Sequence, residues 1–256
     1  MLNMEHIESF YPEHLRAFKK NILREYLQYK ILDLIYGGKY ANLLSFMGGT
    51  AIHIIHGINR FSEDLDFDNM SMSDDDFEDM VSKAKRSLEL EGYVLETKVT
   101  LKGAWSAQFR FKDILFDEKI SPHRGEVLLI KVDAEPQNYE YSPEKKMINK
   151  FDIFSRINVV PVSTLLAQKI SAIFFRKRAM GRDFYDAIYL FSKTEPDMQY
   201  LKIKAGIENM DELKKKLLEK CRTLDMGLLA GDLKEFLFNS KDAERVIYFE
   251  DFIRNY

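Results

Sequence analysis

The sequence predicts an α/β core followed by a helical domain. Short apolar runs with strand-like alternation recur between helical stretches over the first 158 residues. From Pro161 onward the apolar spacing is helical, with steps of three and four residues. The apolar share, 46% of 256 residues, is ample for one large domain or two smaller ones. The expected division is a core over residues 1–158 and a helical domain over residues 159–256. The soft boundary falls in a connector, residues 136–160, that contains Pro136 and Pro143.

Bulk properties exclude several classes. The net charge is −3, without the basic excess of a general nucleic-acid binder, so local clusters must do any such binding. The one cysteine, Cys221, rules out an internal disulfide and fits a reducing cytoplasm. It lies in a charged helical pattern and reads as a spectator. No stretch is long and apolar enough to span a membrane. The acidic, polar start MLNMEHIESFYPEH does not read as a signal peptide. A cytoplasmic protein is the expectation.

In order, residues 5–36 read as helix, with Leu15, Phe18, Ile22, Tyr26, Tyr29, Leu32 and Tyr36 on the stripe and Gly37-Gly38 as the stop. Leu43 to Met47 reads as a strand, broken by Gly48 and Gly49. A short helix through Ile52 and Ile55 follows, then a strand at Asp64-Leu65-Asp66-Phe67. Ser71 to Asp76 is an N-cap with an acidic first turn, opening a helix to about Glu91. Tyr93 to Leu101 and Ala104 to Lys112 suggest a β-hairpin. Glu126 to Glu135 is apolar along nearly its whole length, which suggests a central strand covered on both faces. Phe151 to Val160 has room for a short strand. Helices are expected from Pro161, across Arg182 to Phe191, and near 198–206, 211–224, 227–238 and 242–254.

The chemistry concentrates around Gly48 to Asp66. On a strand, residues i and i+2 share a face, so Asp64 and Asp66 aim together. Two adjacent carboxylates resist joint ionisation unless a cation lies between them. A hard ion such as Mg²⁺ takes a few carboxylates and completes its shell with substrate phosphates. Glycines let a backbone approach a phosphate, and amides at a helix start can donate to it. Other polar clusters read more plainly. His53 and His56 lack a third ligand, Asp74 to Asp76 is a helix start, and Lys214 to Lys216 is a solvated face. Lys169 sits on or beside an apolar helical stripe, so it must snorkel or meet a negative partner. Asp183 and Asp186 share a helix face beyond it.

The segments Gly48-Gly49-Thr50-Ala51, Arg60-Phe61-Ser62-Glu63-Asp64-Leu65-Asp66-Phe67, Ala167-Gln168-Lys169 and Arg182-Asp183-Phe184-Tyr185-Asp186 together resemble the AbiEii/AbiGii-type toxin family of the nucleotidyltransferase superfamily. The resemblance covers roughly residues 15–192. It implies a nucleotidyltransferase, polymerase-beta-like mixed-sheet core, with the site in a cleft beside the helical domain. It implies transfer of a nucleoside monophosphate from an NTP to an acceptor hydroxyl, with pyrophosphate released. Under it, Asp133 is the third acid, and Asp64, Asp66 and Asp133 hold Mg²⁺ or Mn²⁺. Gly48, Gly49 and Thr50 or Ser62 hold phosphate oxygens. Arg60 and Lys169 offset phosphate charge, and Asp183 or Asp186 orients the triphosphate or the lysine. A structural lysine–aspartate pair is the plainer alternative.

The resemblance also implies the toxin of a bacterial toxin–antitoxin or phage-defence pair, with an antitoxin partner and RNA, foremost a tRNA 3′ end, as acceptor. Protein nucleotidylation, NTP-dependent phosphorylation and a non-catalytic nucleotide-binding module are the alternatives.

Overall fold

The computed structural model describes residues 2–256. Its contacts divide the chain into two compact units. One takes everything described up to Ile55, Phe61–Asn138 and Pro143–Val159. The other takes His56–Arg60, Tyr139–Ser142 and Val160–Tyr256. Where the sequence suggests a single cut after residue 158, two short excursions of the chain join the helical unit.

The first unit begins with helices α1 (Met4–Ser9) and α2 (Lys19–Tyr36). The continuous helix expected over residues 5–36 is therefore broken. Pro12 lacks an N–H and cannot continue a helix interior, so α1 ends ahead of it. Strand β1 (Leu44–Met47) runs directly into α3 (Gly48–His56), and β2 (Leu65–Asn69) follows. Next come α4 (Asp74–Leu90), β3 (Leu95–Thr100), β4 (Trp105–Phe111), the single-turn α5 (Ile114–Asp117), β5 (Leu128–Glu135), β6 (Glu144–Lys150) and β7 (Ile153–Val159). Ser73 caps α4 by accepting from the Asp76 amide, as its sequence signature requires.

The seven strands form one mixed sheet in the order β3-β4-β5-β2-β1-β7-β6. The β2–β5 and β1–β7 pairs are parallel; the other four are antiparallel. Register assigns the faces, because directly paired residues point the same way. Phe46 pairs with Phe67 and with Val159, and Phe67 pairs with Ala134; all four are buried. Tyr36 of α2 touches the Phe67 ring, so α2 covers this apolar face. The opposite face carries Met47, Asp66, Asp133 and Ser106. Strand β5 is central, as expected, but only one of its faces is buried, and the other is partly open. Its even-numbered residues are the core side; its odd-numbered residues belong to the polar face.

Strand β6 was not foreseen. It is an edge strand in which Ile148 is the one fully buried side chain, and its charged residues suit an edge that must not pair further.

The second unit is helical: α6 (Val162–Phe175), α7 (Gly181–Phe191), α8 (Met198–Ala205), α9 (Met210–Cys221), α10 (Met226–Leu233), α11 (Glu244–Ile247) and α12 (Phe249–Asn255). Asp197, Asn209 and Asp225 cap α8, α9 and α10. No helix among the described residues is long and apolar enough to cross a membrane.

Glu25 on α2 is buried between His53 Nε2 at 2.9 Å and Lys150 Nζ at 2.6 Å. Burial opposes its ionisation, but His53 and Lys150 outweigh burial and hold its carboxyl down to about 2. A depressed carboxyl contributes stability that is present above its unfolded pKa and lost as pH falls through the folded one. Glu25→Gln should therefore cost about 3 kcal/mol at neutral pH, since it leaves the half-buried Lys150 ammonium without its counter-charge. Urea denaturation at stepped pH should show the gap to wild type closing between about 4.5 and about 2.

Candidate active site

The end of β1 and the start of α3 form the floor of the acidic site. Gly48 adopts φ +76°, and a Cβ there would lie 2.2 Å from Asp66 Oδ2. Only a glycine gives both that backbone conformation and that closeness. The Asp66 carboxylate thus lies against the first residue of α3.

The connection leading into β2 is held by buried polar groups. Thr50 is fully buried, and its hydroxyl donates to the Asp64 carbonyl. Gln28 of α2 is also buried, and its amide donates to the carbonyls of Ser62 at 3.1 Å and Glu63 at 2.9 Å. Thr50, expected from sequence to hold phosphate, is instead a clamp on the backbone that presents Asp64. The Ser62 carbonyl is likewise engaged, and its side chain is half-buried. Gln28 carried no signal in the sequence beyond a polar residue in a helix with apolar neighbours.

The parallel pairing of β2 with β5 sets Asp66 directly beside Asp133. Ser106 of β4 pairs with Asp133 from the other side. Met47, Asp66, Phe67, Ala104, Ser106, Lys131, Asp133 and Glu135 line an open cavity of about 330 Å³. Asp133 Oδ2 accepts from Lys131 Nζ at 2.8 Å, while its Oδ1 is buried with no hydrogen-bond partner. The bond to Asp133 raises the Lys131 ammonium pKa, burial works against it, and the charges of Asp133, Asp64 and Asp66 add to the rise. Continuing the β2–β5 register by one residue places Asp64 alongside Lys131. Asp64, Asp66, Asp133 and Glu135 therefore lie around one ammonium in this patch. Lys131 passed unnoticed in the sequence, where it reads as one of the alternating residues of β5.

Asp64 precedes the first residue of β2 and is not part of the strand. Among the described residues no three His, Cys, Asp or Glu side chains form a ready-made ion cage, so the expected three-carboxylate set is not pre-assembled. The in-register pair of Asp66 and Asp133 remains. One or two carboxylates with substrate phosphates and waters are the usual protein share for Mg²⁺. A buried carboxylate oxygen without a partner, beside a second carboxylate, fits that demand.

The helical unit holds the other predicted residues, in a different role. The Arg60 guanidinium is 1% exposed and grips Asp186 with two bonds, Nε to Oδ1 at 2.6 Å and Nη2 to Oδ2 at 2.7 Å. Lys169 Nζ lies 3.0 Å from Asp186 Oδ2 and 3.1 Å from Asp183 Oδ1. Arg176 Nε reaches Asp183 Oδ2 at 3.3 Å. Burial opposes the charge on Asp186, yet Arg60 and Lys169 outweigh it and keep the carboxyl below its ordinary range. Arg60 was expected on nucleotide phosphates. A fully buried guanidinium clamped by a carboxylate cannot meet them without unpacking, so its position corrects that reading. Lys169 is held between Asp183 and Asp186, the contact expected both of aspartates that orient the lysine and of a structural lysine–aspartate pair. His53 pairs with Glu25, as a packing residue would.

The fold and the acidic site define a nucleotidyltransferase-like protein. Two solved structures share the architecture, each at 17% identity and over 92% of this chain: JHP933 from Helicobacter pylori, with TM-score 0.58 over 92% of its length, and a H. pylori protein described as a candidate nucleotidyltransferase, with TM-score 0.55 over 95% of its length. No curated protein matches the chain. The family model for the nucleotidyl transferase AbiEii toxin of type IV toxin–antitoxin systems matches residues 32–246, and the chain belongs to that family.

Two substitutions test the geometry. Gly48→Ala should cost about 1–2 kcal/mol from its left-handed backbone alone, and should push the Asp66 carboxylate aside. Asp186→Asn leaves Arg60 buried without its counter-charge and should cost about 3–5 kcal/mol. Asp183→Asn should cost less, because its partner Arg176 is partly exposed. Denaturant midpoints of the purified variants give all three values.

Proposed function

We propose that this chain transfers a nucleoside monophosphate from an NTP to a hydroxyl of RNA, with a tRNA 3′ end as the leading acceptor. The observation that carries the reading is the in-register pair Asp66 and Asp133, with the unpartnered Asp133 Oδ1, at the mouth of the Gly48 turn. The family assignment supports nucleotidyl transfer and a toxin's role, with a cognate antitoxin as partner.

In the reaction, the acceptor oxygen forms a bond to the α-phosphorus, the bond from that phosphorus to the α–β bridging oxygen breaks, and pyrophosphate leaves. Asp66 and Asp133 would hold a divalent ion, Mg²⁺ or Mn²⁺. Such an ion, when bound, stabilises the charge that gathers on the transferring phosphoryl group. The chain's own residues do the positioning. Gly48 lets the Asp66 carboxylate lie against the start of α3, where the amides of Gly48 and Gly49 would donate to phosphate oxygens. Thr50 and Gln28 fix the segment that presents Asp64. Arg60 and Asp186 pair inside the helical unit and stabilise it.

Incubation with α-labelled and γ-labelled NTPs, with and without RNA, tests the reaction. Label should pass to RNA from the α position only. Asp66→Asn and Asp133→Asn should each lower transfer about 100-fold or more, with the fold retained by circular dichroism. Transfer from the γ position alone would mean phosphorylation, and label appearing on protein would mean protein nucleotidylation. A folded Asp66→Ala variant that keeps full toxicity in cells would favour a binding module.

A further inference from the structure

Lys131 is the cation the family motifs do not supply. It lies two residues before Asp133 on β5, and therefore on the same face. Its ammonium donates to Asp133 Oδ2 at 2.8 Å, with Asp64 alongside and Asp66 diagonal to it. The lysine is about one-third exposed, so it is reachable and able to swing. The cavity lining thus contains the carboxylates of Asp66, Asp133 and Glu135 and this one tethered ammonium.

We propose that Lys131 competes with a divalent ion for these carboxylates, so that metal binds weakly to the free protein and is recruited together with the nucleotide. This rests on the reading of Asp66 and Asp133 as the ion's seat. An ammonium within bonding distance of Asp133 both satisfies one of its oxygens and repels an incoming cation. Nucleotide phosphates change that balance. They give the ammonium another anion to face, and they add oxygen ligands for the ion. Metal and nucleotide then favour each other's binding through one side chain, and reciprocity makes the effect equal in both directions.

Titration of the full-length protein with Mn²⁺, followed by the electron paramagnetic resonance signal of the free ion, tests this without relying on turnover. Wild type should bind Mn²⁺ weakly alone and more tightly with a non-hydrolysable NTP. Lys131→Met should bind Mn²⁺ roughly tenfold or more tightly in the absence of nucleotide, and should lose most of the coupling. Lys131→Gln, which retains a polar end, should follow it if charge is the cause. Unchanged or weaker Mn²⁺ binding in both folded variants overturns the proposal, as does undiminished coupling.

Asp133→Asn separates the two readings. If it abolishes Mn²⁺ binding while Lys131→Met changes nothing, the seat stands and the role of Lys131 fails. If Mn²⁺ binding ignores Asp133→Asn, the seat itself is wrong.

Discussion

The parallel register of β2 on β5 is the constraint from which the acidic site follows. It sets Asp66 against Asp133 across one inter-strand spacing, about 5 Å. Two unit charges at that distance repel by on the order of 3 kcal/mol at an effective dielectric of about 20. A sheet would not adopt this pairing for its own stability. It is held by the opposite face, where Phe46, Phe67, Ala134 and Val159 are buried and α2 lies over them. A slip of one residue would exchange the two faces, bringing aspartates into the core and phenylalanines out. The core therefore dictates the register, and the register assembles the acidic patch. Lys131 relieves part of the repulsion from within the same strand.

The helical unit solves a different electrostatic problem. Arg60, Lys169, Asp183 and Asp186 lie buried together, with Arg176 at the margin. Ions leave water at a cost of several kcal/mol each, which mutual pairing must offset. Here every carboxylate meets two cations: Asp186 meets Arg60 and Lys169, and Asp183 meets Lys169 and Arg176. The bidentate Arg60–Asp186 grip is the geometry in which arginine outperforms lysine. Arg60 also bridges to Leu237, and Phe238 donates to the Asn59 carbonyl. The 56–60 excursion is thereby tied into the helical unit by backbone as well as by charge. Arg60, Lys169, Asp183 and Asp186 thus form an ion lattice that ties helices and a loop together.

Local features of both the fold and the site were legible in the sequence. The strand, glycine turn, helix and strand around Gly48 appear where spacing puts them, as do the β3–β4 hairpin and the capped α4. Pro12 was a readable stop that helical periodicity alone overrode. Properties set by distant pairing were not legible. Lys131 becomes part of the site only because β5 lies beside β2, and no spacing within Glu126 to Glu135 says so. The partners Arg60 and Asp186 are 126 positions apart. Strand β6 hid because an edge strand keeps few apolar residues. The apolar run of β5 concealed an alternation, since half-exposed Leu129 sits on the polar face with Lys131 and Asp133.

Polar residues near a glycine turn invite assignment to a ligand, yet several of those in this chain are occupied with the backbone. Thr50 and Gln28 donate to three successive carbonyls, those of Ser62, Glu63 and Asp64. A buried carbonyl without a donor would cost about 1–3 kcal/mol, so this connection could not lie where it does without them. The segment enters β2 already fixed, and Asp64 and Asp66 inherit that rigidity. The open face of the sheet gathers Asp66, Glu135 and Asp133, whose Oδ1 has no hydrogen-bond partner, around the ammonium of Lys131. Such a gathering of like charges is held in place by the apolar face beneath it and not by its own electrostatics.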